Sequence, residues 1–575
     1  MSPMPTASLV PQRLGDFPTL CEALDYAATG ANGLLFHSAR DDGGTPLFFR
    51  TLREDALRLA RRLIAIGLRP GDRAGLIADT SADFVRAFFA CQYAGVVPAP
   101  LPLPAAFGGR ASYLDHAGRM IRQARAAILL APASLAEWFS PEAAALGLRF
   151  CGSVGALEAL GGGEVAALPA VGEDDLAYLQ FSSGSTRQPM GVAVRHSALM
   201  ANLRGIVAHG LRGTPEDRAV SWLPLYHDMG LVGFLLAPLA AQITVDLLPT
   251  QDFARRPQLW LQLISRNRAS ISYSPSFGYE LCVRRNLAPQ EFELSSWRIA
   301  GIGGDMIRPH VLEEFAGRFA AAGFAASAFL PSYGMAEATL ALCFAPLGQG
   351  LQQDTLDVDR MEGEQVAVPP RPGARARSFV VCGTPLPGHE AEIRDEEGAV
   401  LPDRQVGRIF ARGPSLMLGY DGRPAETAEV LSADGWLDTG DLGYRLNDSL
   451  VITGRAKDLI IVNGRNIWPQ DLEWSVEHLV PEVRAGRVAA FSVDRGGREA
   501  VILAAETRPS SEPAERIEAA IAGAVRAQHG VDAEVLLLPV NSLPFTSSGK
   551  LSRAGTRQRF LGGAFVLPAT TAVAS

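Results

Sequence analysis

The hydrophobic pattern in the first third of the chain switches repeatedly between helical and strand periodicity. Apolar residues recur at helical spacing over residues 49–68, with Arg and Glu on the opposite face, and residues 81–93 are also predicted to form a helix. Short apolar runs at residues 73–78 and 126–130 predict strands, and the proline-rich run 97–102 reads as a break between elements. This alternation favours an α/β fold with a parallel or mixed sheet.

Two later passages read as strands that end in a turn. Residues 298–304 form an apolar strand followed by a double glycine. Residues 328–339 run strand, turn, helix, and place Tyr333 and Glu337 together after the strand. Because ligands of open α/β sheets bind at the C-terminal ends of strands, these passages are candidate parts of a ligand site.

A loop rich in small hydroxyl residues and glycine lies between two short predicted strands, residues 176–181 and 192–194. Its first residues are Ser182, Ser183, Gly184, Ser185 and Thr186. Such a loop can direct backbone N–H groups and hydroxyls at a polyphosphate. It lacks the GxxxxGK[ST] pattern of a P-loop, and a strand follows it instead of a helix. The pattern alone therefore leaves two interpretations open, a phosphate-binding loop and an ordinary hairpin.

The last part of the chain predicts a different organisation. Residues 348–377 show little periodicity and are predicted to form a long surface loop, whereas residues 380–412 alternate as antiparallel strands do. A tight turn with two acids is predicted at residues 436–441. A helix is predicted at residues 469–479, within a small α+β domain that starts at about Lys457–Asp458.

Composition narrows the class of protein. The chain has 575 residues and a net charge of −8, and no basic footprint for nucleic acid is evident. Its six cysteines are far apart, with no CxxC pair to suggest a disulfide framework or a zinc site. The N-terminus lacks the features of a signal peptide, and the most apolar run, residues 230–249, is interrupted by polar residues. A reduced, cytoplasmic protein without an integral membrane segment is expected.

Five motifs occur in an order and spacing that resembles the adenylate-forming superfamily, which includes acyl-CoA synthetases, luciferases and nonribosomal adenylation domains. The resemblance covers about residues 15–560. The motifs are SSGSTRQPMG at 182–191, YGMAE at 333–337, WLDTGD at 436–441, GRAKDLIIVNGRNIWP at 454–469 and PFTSSGKLSR at 544–553.

This resemblance implies an α/β fold with two domains. The large N-terminal domain, residues 1–456, would contain two α/β subdomains and a β-barrel-like subdomain. A small mobile α+β C-terminal domain, residues 457–575, would carry the catalytic lysine. The shared reaction is attack of a carboxylate on the α-phosphate of ATP, which gives an acyl-adenylate and pyrophosphate.

Several details resemble one branch, the fatty acyl-AMP ligases. Arg187 stands where most relatives carry glycine, and Met190 where most carry lysine; SWLPLYHDMGLVG (221–233) and KLSRAGTRQRFL (550–561) are also distinctive. The branch activates medium- or long-chain fatty acids and delivers them to the phosphopantetheine of acyl carrier proteins in lipid, polyketide or nonribosomal peptide biosynthesis. It carries an insertion, expected here at about residues 348–377, that hinders the pose needed to make CoA thioesters.

The resemblance also assigns roles, with ATP and Mg²⁺ as cofactors. Lys550, His227 and Arg455 are expected to be catalytic, Glu337 to bind Mg²⁺, and Lys457 with Asp458 to form the hinge. Asp441 is expected to accept the ribose hydroxyls. The complete expected nucleotide site comprises Ser182, Ser183, Gly184, Ser185, Thr186, Gly303, Gly304, Asp305, Ser332, Tyr333, Gly334, Met335, Asp441 and Arg455.

Three alternative functions stay open at this stage. The nearest is an acyl-CoA synthetase of the same fold. An amino-acid adenylation domain would need a carboxylate for the substrate's ammonium, and Asp228 beside His227 is not evidently placed for that purpose. A pseudo-ligase that only binds nucleotide or carrier protein rests on Met190 alone. The sequence gives neither acyl chain length, nor the carrier partner, nor the oligomeric state.

Overall fold

The computed structural model describes residues 10–104, 109–160, 167–182, 189–462, 465–495, 499–509, 512–546 and 550–565. Its strands, in chain order, are β1 (Gly33–Ser38), β2 (Asp41–Phe48), β3 (Arg73–Ile77), β4 (Val97–Leu101), β5 (Ala126–Leu130), β6 (Phe150–Gly152), β7 (Leu176–Ser182), β8 (Met190–Arg195), β9 (Arg218–Ser221), β10 (Thr244–Leu247), β11 (Ile271–Ser274), β12 (Ile299–Ile302), β13 (Phe329–Gly334), β14 (Ala341–Phe344), β15 (Gln353–Asp357), β16 (Ala376–Val380), β17 (Thr384–Pro385), β18 (Glu390–Arg394), β19 (Gly407–Arg412), β20 (Gly419–Tyr420), β21 (Leu437–Leu446), β22 (Ser449–Arg455), β23 (Ile460–Val462), β24 (Arg465–Ile467), β25 (Val483–Asp494), β26 (Glu499–Thr507) and β27 (Ala533–Leu538).

The α-helices are interspersed among these strands. In chain order they are α1 (Leu20–Ala27), α2 (Phe49–Ala65), α3 (Ala82–Tyr93), α4 (Arg110–Ala124), α5 (Ala133–Phe139), α6 (Val154–Ala159), α7 (His196–Arg204), α8 (Asp228–Leu231), α9 (Ala237–Ala240), α10 (Thr250–Arg255), α11 (Gln258–Asn267), α12 (Ser276–Arg284), α13 (Pro309–Phe319), α14 (Val358–Glu364), α15 (Pro424–Val430), α16 (Pro469–Leu479), α17 (Ala514–His529) and α18 (Arg553–Leu561).

A long mixed sheet positions the site. Its strand order is β17-β14-β13-β12-β11-β9-β10-β1-β2, and its central strands from β1 to β13 run parallel. Strands β9 to β12 are almost entirely buried, as expected for parallel strands covered on both faces. The C-terminal ends of β9, β11, β12 and β13 therefore lie along one edge, and the candidate ligand residues follow them.

A second parallel sheet, β4-β3-β5-β6, contains the proline-rich residues 97–102, for which the sequence predicts a break between elements. Residues 97–102 are not a break, because β4 covers Val97–Leu101. The sheet order explains how two prolines are accepted: β4 is at the edge, where a missing N–H leaves no ladder bond unmade. The helical predictions for residues 49–68 and 81–93 are confirmed by α2 and α3, and Ser81 caps α3 by accepting from the Phe84 N–H at 3.2 Å.

Residues 348–377 are not the surface loop that their weak periodicity predicted. Strands β15 and β16 pair antiparallel, and α14 lies between them. Leu356 and Met361 are fully buried in a cluster with Trp468. The pattern was misleading because the outward face of this small unit is polar and only a few side chains point inward.

Two further predictions for local structure are wrong. The last two residues of YGMAE form a 3₁₀ turn with the next residue, Ala336–Ala338, and β14 follows it instead of a helix. Residues 436–441 lie mostly in β21 instead of a tight turn, with Gly440 at φ 71°. Both segments therefore present their acids from extended or tightly turned backbone.

The C-terminal part of the described chain has packing of its own. Strands β25, β26 and β27 form a sheet, and the helix predicted at residues 469–479 is α16. Two hydrophobic clusters draw only on residues from Ile460 onward. A domain boundary at Lys457–Asp458 stays a prediction that is compatible with this arrangement. Within the described ranges no helix is both long and apolar enough to cross a bilayer.

Candidate active site

A cavity of about 700 Å³ opens at the C-terminal edge of the long sheet. Much of the predicted site lines it: His227, Gly303, Gly304, Ser332, Tyr333, Gly334, Met335, Glu337, Arg455, Lys457 and Lys550. A second cavity of about 580 Å³ adjoins it and is lined by Asp305, Asp441 and Asp458 as well as several of the same residues. The sequence predictions therefore converge on one region of the molecule.

Part of the predicted phosphate loop cannot be placed. Ser183, Gly184, Ser185 and Thr186 lie outside the described residues, and Ser182 is the last residue of β7. The strands on either side pair as a hairpin, with Ser182 opposite Met190. The start and end of this loop therefore lie at the cavity, where Met190 contributes to the lining.

Asp441 forms the centre of a small polar cluster. The Tyr333 hydroxyl donates to its Oδ2 at 2.8 Å, and Arg455 Nε lies 3.2 Å from its Oδ1. The pairing of β21 with β22 places Asp441 and Arg455 directly opposite each other. Burial raises the pKa of Asp441, and the Arg455 charge opposes that effect. A carboxylate in this setting favours ligands that donate hydrogen bonds.

Glu337 is held by a residue that the sequence did not single out. The Tyr420 hydroxyl donates to Glu337 Oε1 at 3.0 Å. Burial raises the pKa of Glu337, partly offset by this hydrogen bond. Tyr420 belongs to β20, which pairs with β8 at the end of the predicted phosphate loop. No spacing rule connects positions so far apart in sequence, so only the fold could reveal this contact.

The backbone after Glu337 is strained. Thr339, a buried β-branched residue, adopts φ 71° and ψ −57°, and Leu340 N–H donates to Ala338 O at 2.9 Å across the turn. The Thr339 hydroxyl donates to Ser415 O at 2.7 Å and so fixes the turn. Strain of this kind persists only where surrounding contacts determine the conformation, and it is concentrated at functional sites.

His227 lies at the N-terminus of α8, at the mouth of the cavity. Its Nδ1 is 2.6 Å from Asp228 Oδ1, and the Met229 N–H donates to the same carboxylate at 2.7 Å. Burial raises the pKa of Asp228, but His227, with a smaller contribution from Lys550, holds it below its ordinary value. Asp228 is thus committed to His227, which argues against its use as an ammonium ligand.

Lys550 reaches the cavity from the C-terminal part of the chain. Its Nζ donates to the carbonyl oxygen of Gly304, next to β12. The sequence contains only one other lysine, Lys457, and that residue also lines the cavity. Every other basic side chain of the sequence is arginine or histidine. The rarity of lysine could therefore have marked both residues as site candidates from the sequence alone.

The glycines predicted to border a nucleotide are required for close packing. A Cβ at Gly303 would lie 2.8 Å from Ser332 Oγ, and one at Gly334 would lie 1.8 Å from Leu340 O. Gly304 has φ 77°, a left-handed conformation that other residues rarely adopt. Side chains at these positions would clash or strain the edge of the cavity.

The predicted hinge lies in the 3₁₀ turn Ala456–Asp458 that follows β22. Asp458 Oδ2 is 3.1 Å from Arg553, whose guanidinium also binds Glu473 at 2.7 Å. Burial lowers the pKa of Lys457. The turn is therefore connected to the C-terminal helices by an ion-pair network.

One side of the cavity is apolar. It is lined by Ile206, Leu211, Phe234, Leu340 and Phe344. Ile206 and Phe234 come from two π-helical segments, Gly205–Gly210 and Val232–Leu236. Such segments are frequent at functional sites because they redirect side chains from a helix. We call this side the apolar branch.

Comparisons with known proteins show the family of this chain. The model of the AMP-binding enzyme family matches residues 30–421. A structure from a study of fatty acyl-adenylate ligases from E. coli and L. pneumophila superposes with a TM-score of 0.92 at 44% identity, covering 96% of this chain and 100% of that one.

Two curated relatives span nearly the whole chain. A Caulobacter vibrioides (strain NA1000 / CB15N) protein, named provisionally as an acyl-CoA synthetase, is 52% identical and covers 98% of each chain. The medium-chain-fatty-acid–[acyl-carrier-protein] ligase JamA of Moorena producens (strain JHB) is 33% identical, covering 95% of this chain and 96% of its own.

The fold and the cavity define an adenylate-forming ligase that uses ATP. The chain belongs to the AMP-binding enzyme family, within its fatty acyl-AMP ligase branch.

Proposed function

We propose that this enzyme activates a medium- or long-chain fatty acid with ATP and passes the acyl group to the phosphopantetheine thiol of an acyl carrier protein. The observation that carries the substrate class is the apolar branch, which lines the same cavity as His227 and Lys550. An alkyl chain in that branch would leave its carboxylate at the polar end of the cavity. The nucleotide would occupy the edge formed by Tyr333 and the glycines.

Asp441 would accept both ribose hydroxyls, and Tyr333 would lie against adenine. Asp441→Asn is expected to weaken ATP binding by about 10–100-fold, because hydrogen bonds to a charged group contribute about 1.5–3 kcal/mol. Isothermal titration with ATP would measure the change. Asp403→Asn is the matched control, since Asp403 forms an exposed pair with Arg445; equal affinities of wild type and Asp441→Asn would remove Asp441 from the ribose site.

Lys550 and His227 would act at the reacting atoms. The attacking carboxylate and the triphosphate repel each other, and negative charge grows on the α-phosphate as the new bond forms. A cation between the two groups reduces their repulsion and stabilises the charge that develops on the α-phosphate. Lys550 Nζ supplies that cation, while His227, oriented by Asp228, would position the acyl carboxylate. Arg455 would reach the phosphate from its place opposite Asp441. Pyrophosphate would leave from the α-phosphorus, and the loop at residues 182–186, most of which lies outside the described residues, would hold the β- and γ-phosphates until then.

Glu337 fits the expected Mg²⁺ site. The residue is half-buried, and burial raises the pKa of its carboxyl, an effect that the Tyr420 hydrogen bond and the Arg455 charge oppose only in part. Among the described residues no group of three or more His, Cys, Asp or Glu gathers as a metal site. One carboxylate plus phosphate oxygens is nevertheless a common arrangement for Mg²⁺. When bound, the ion would neutralise phosphate charge.

Tyr420 would orient Glu337 for that ion. Tyr420→Phe is expected to weaken binding of the divalent cation in the presence of ATP by about tenfold, because it removes a hydrogen bond to a charged group. Electron paramagnetic resonance with Mn²⁺ as the probe would measure this without turnover. Tyr444→Phe is the control, since that hydroxyl donates to Asp354 at 2.6 Å away from the cavity. An unchanged Mn²⁺ affinity in Tyr420→Phe would contradict the role.

Choice of a carrier protein over CoA is supported by JamA, which is named as a carrier-protein ligase. It is also supported by contacts between residues 348–377 and the C-terminal part of the chain. Glu362 of α14 lies 2.8 Å from Arg375 and 3.2 Å from Nε of Arg465, which belongs to β24. We propose that residues 348–377 are the insertion of the fatty acyl-AMP ligases. We also propose that residues 457–575 move about the hinge at Lys457 and Asp458.

Acyl transfer to CoA is the alternative, favoured by the name of the Caulobacter relative. Incubation of the enzyme with ATP, a fatty acid and either CoA or a phosphopantetheinylated carrier protein would separate the two. Acyl-carrier thioester with little acyl-CoA supports the proposal. Efficient formation of acyl-CoA would replace it with the synthetase function.

A further inference from the structure

The apolar branch adjoins a tyrosine with a buried hydroxyl. Tyr273, on β11, is only 7% exposed and lines the cavity. Within the described part of the chain its hydroxyl has no hydrogen-bond partner. The neighbouring Ser332 hydroxyl donates its proton to Ile302 O at 3.2 Å, so it could meet Tyr273 only as an acceptor. Buried hydroxyls are seldom left unpaired, because the loss of water is then uncompensated.

The position of this ring is built into the sheet. Tyr273 pairs in register with Gly301 of β12, and a Cβ at Gly301 would lie 2.0 Å from the Tyr273 ring. On the other side the ring contacts Phe234, with centroids 6.0 Å apart. The glycine makes room for the ring, and the two neighbours hold it at the wall of the branch.

The ionisation state of Tyr273 suits a hydrogen-bonding role. Burial raises the pKa of its hydroxyl, and Ser332 opposes this effect only in part. The side chain therefore stays a neutral phenol, able to donate and to accept. Apart from Ser332, its ring lies against Phe234 and Gly301, so an incoming chain of plain methylenes would add no hydrogen-bond partner for the hydroxyl.

We propose that Tyr273 determines substrate specificity by hydrogen bonding to a hydroxyl group on the acyl chain, so that the preferred substrate is a hydroxylated fatty acid. This inference rests on the proposed fatty-acid activation. A site built to pair with a substrate hydroxyl discriminates strongly against the analogue that lacks it, because the site's own polar group is then buried unpaired.

The test uses one saturated fatty acid and a series of its monohydroxylated derivatives, with the hydroxyl moved along the chain. Pyrophosphate release gives kcat/KM for each acid with wild type and Tyr273→Phe. For wild type, we expect one derivative to exceed the parent acid by at least about tenfold. In Tyr273→Phe that preference should disappear. Tyr178→Phe is the matched control, because its hydroxyl is also buried without a partner among the described residues but does not line the cavity.

Three results would overturn the proposal. Wild type could favour no derivative, or Tyr273→Phe could keep the preference. An equal loss on every acid, parent included, would place the hydroxyl against the carboxylate or the nucleotide instead. Absence of pyrophosphate release with any acid would contradict the proposed function itself, which keeps the two failures distinct.

Discussion

Replacement of Lys550 with alanine is expected to lower fatty-acid-dependent pyrophosphate release by about 10²–10³-fold, with little effect on ATP binding. The Lys550 ammonium lies against Gly304 O at the edge of the cavity, where the acyl carboxylate and the α-phosphate would meet. Its charge stabilises the transition state more than the bound nucleotide, so the loss should appear in kcat. A pyrophosphate-release assay measures the loss in kcat, and ATP titration measures any change in nucleotide affinity.

Two variants make this result specific. Arg495→Ala removes a cation from the same part of the chain, but from an exposed pair with Glu534, and should leave the rate unchanged. Lys550→Arg keeps the charge with a different shape and should recover part of the rate. Normal pyrophosphate release from Lys550→Ala would remove Lys550 from the reaction.

The second large effect is expected at Glu362. This carboxylate is 1% exposed and pairs with Arg375 and Arg465, so it joins α14 to β24. Removal of one partner from a buried ion pair costs about 3–5 kcal/mol; we expect about 3 here, because both guanidiniums are about a third exposed. Glu362→Gln should therefore release the C-terminal part of the chain and raise acyl-CoA formation by at least tenfold.

The same helix offers the control for this experiment. Glu364 forms an exposed pair with Arg360, at 55% and 34% side-chain exposure respectively, and such pairs contribute less than about 1 kcal/mol. Glu364→Gln should change neither thioester product. Deletion of the whole unit is a poorer test, because it would uncover the packing of Leu356 and Met361 against Trp468. If Glu362→Gln makes no more acyl-CoA than wild type, the unit does not restrain CoA transfer.

Elements with a strong period were predictable from the sequence. Helices α2, α3 and α16 begin and end near the predicted residues; α2 has one apolar face with a clear repeat, whereas α3 is buried on most of its surface. The candidate site was predictable for a different reason. Asp441, Arg455 and Lys550 sit in motifs whose order is diagnostic, although they come together only when β21, β22 and the C-terminal part of the chain fold.

The failures have physical causes. The pattern of residues 348–377 does not predict their hairpin and helix, because few of their side chains are buried. The pattern of β4 does not predict a strand, because it contains two prolines, which only an edge strand accepts. The contact between Tyr420 and Glu337 depends on the pairing of β20 with β8. Tyr273 reads as an ordinary strand residue until Gly301 is placed opposite its ring. Tertiary contacts of this kind leave no local trace in a sequence.

The distribution of lysine has a practical consequence. Lys457 and Lys550 are the only lysines of the chain, and both face the cavity. Apart from the terminal α-amine, any amine-directed reagent can therefore modify this protein only at the cavity. Covalent labelling followed by mass spectrometry would report directly whether a ligand occupies the cavity. Only two side-chain amines would need to be counted, and no lysine elsewhere would contribute to the signal.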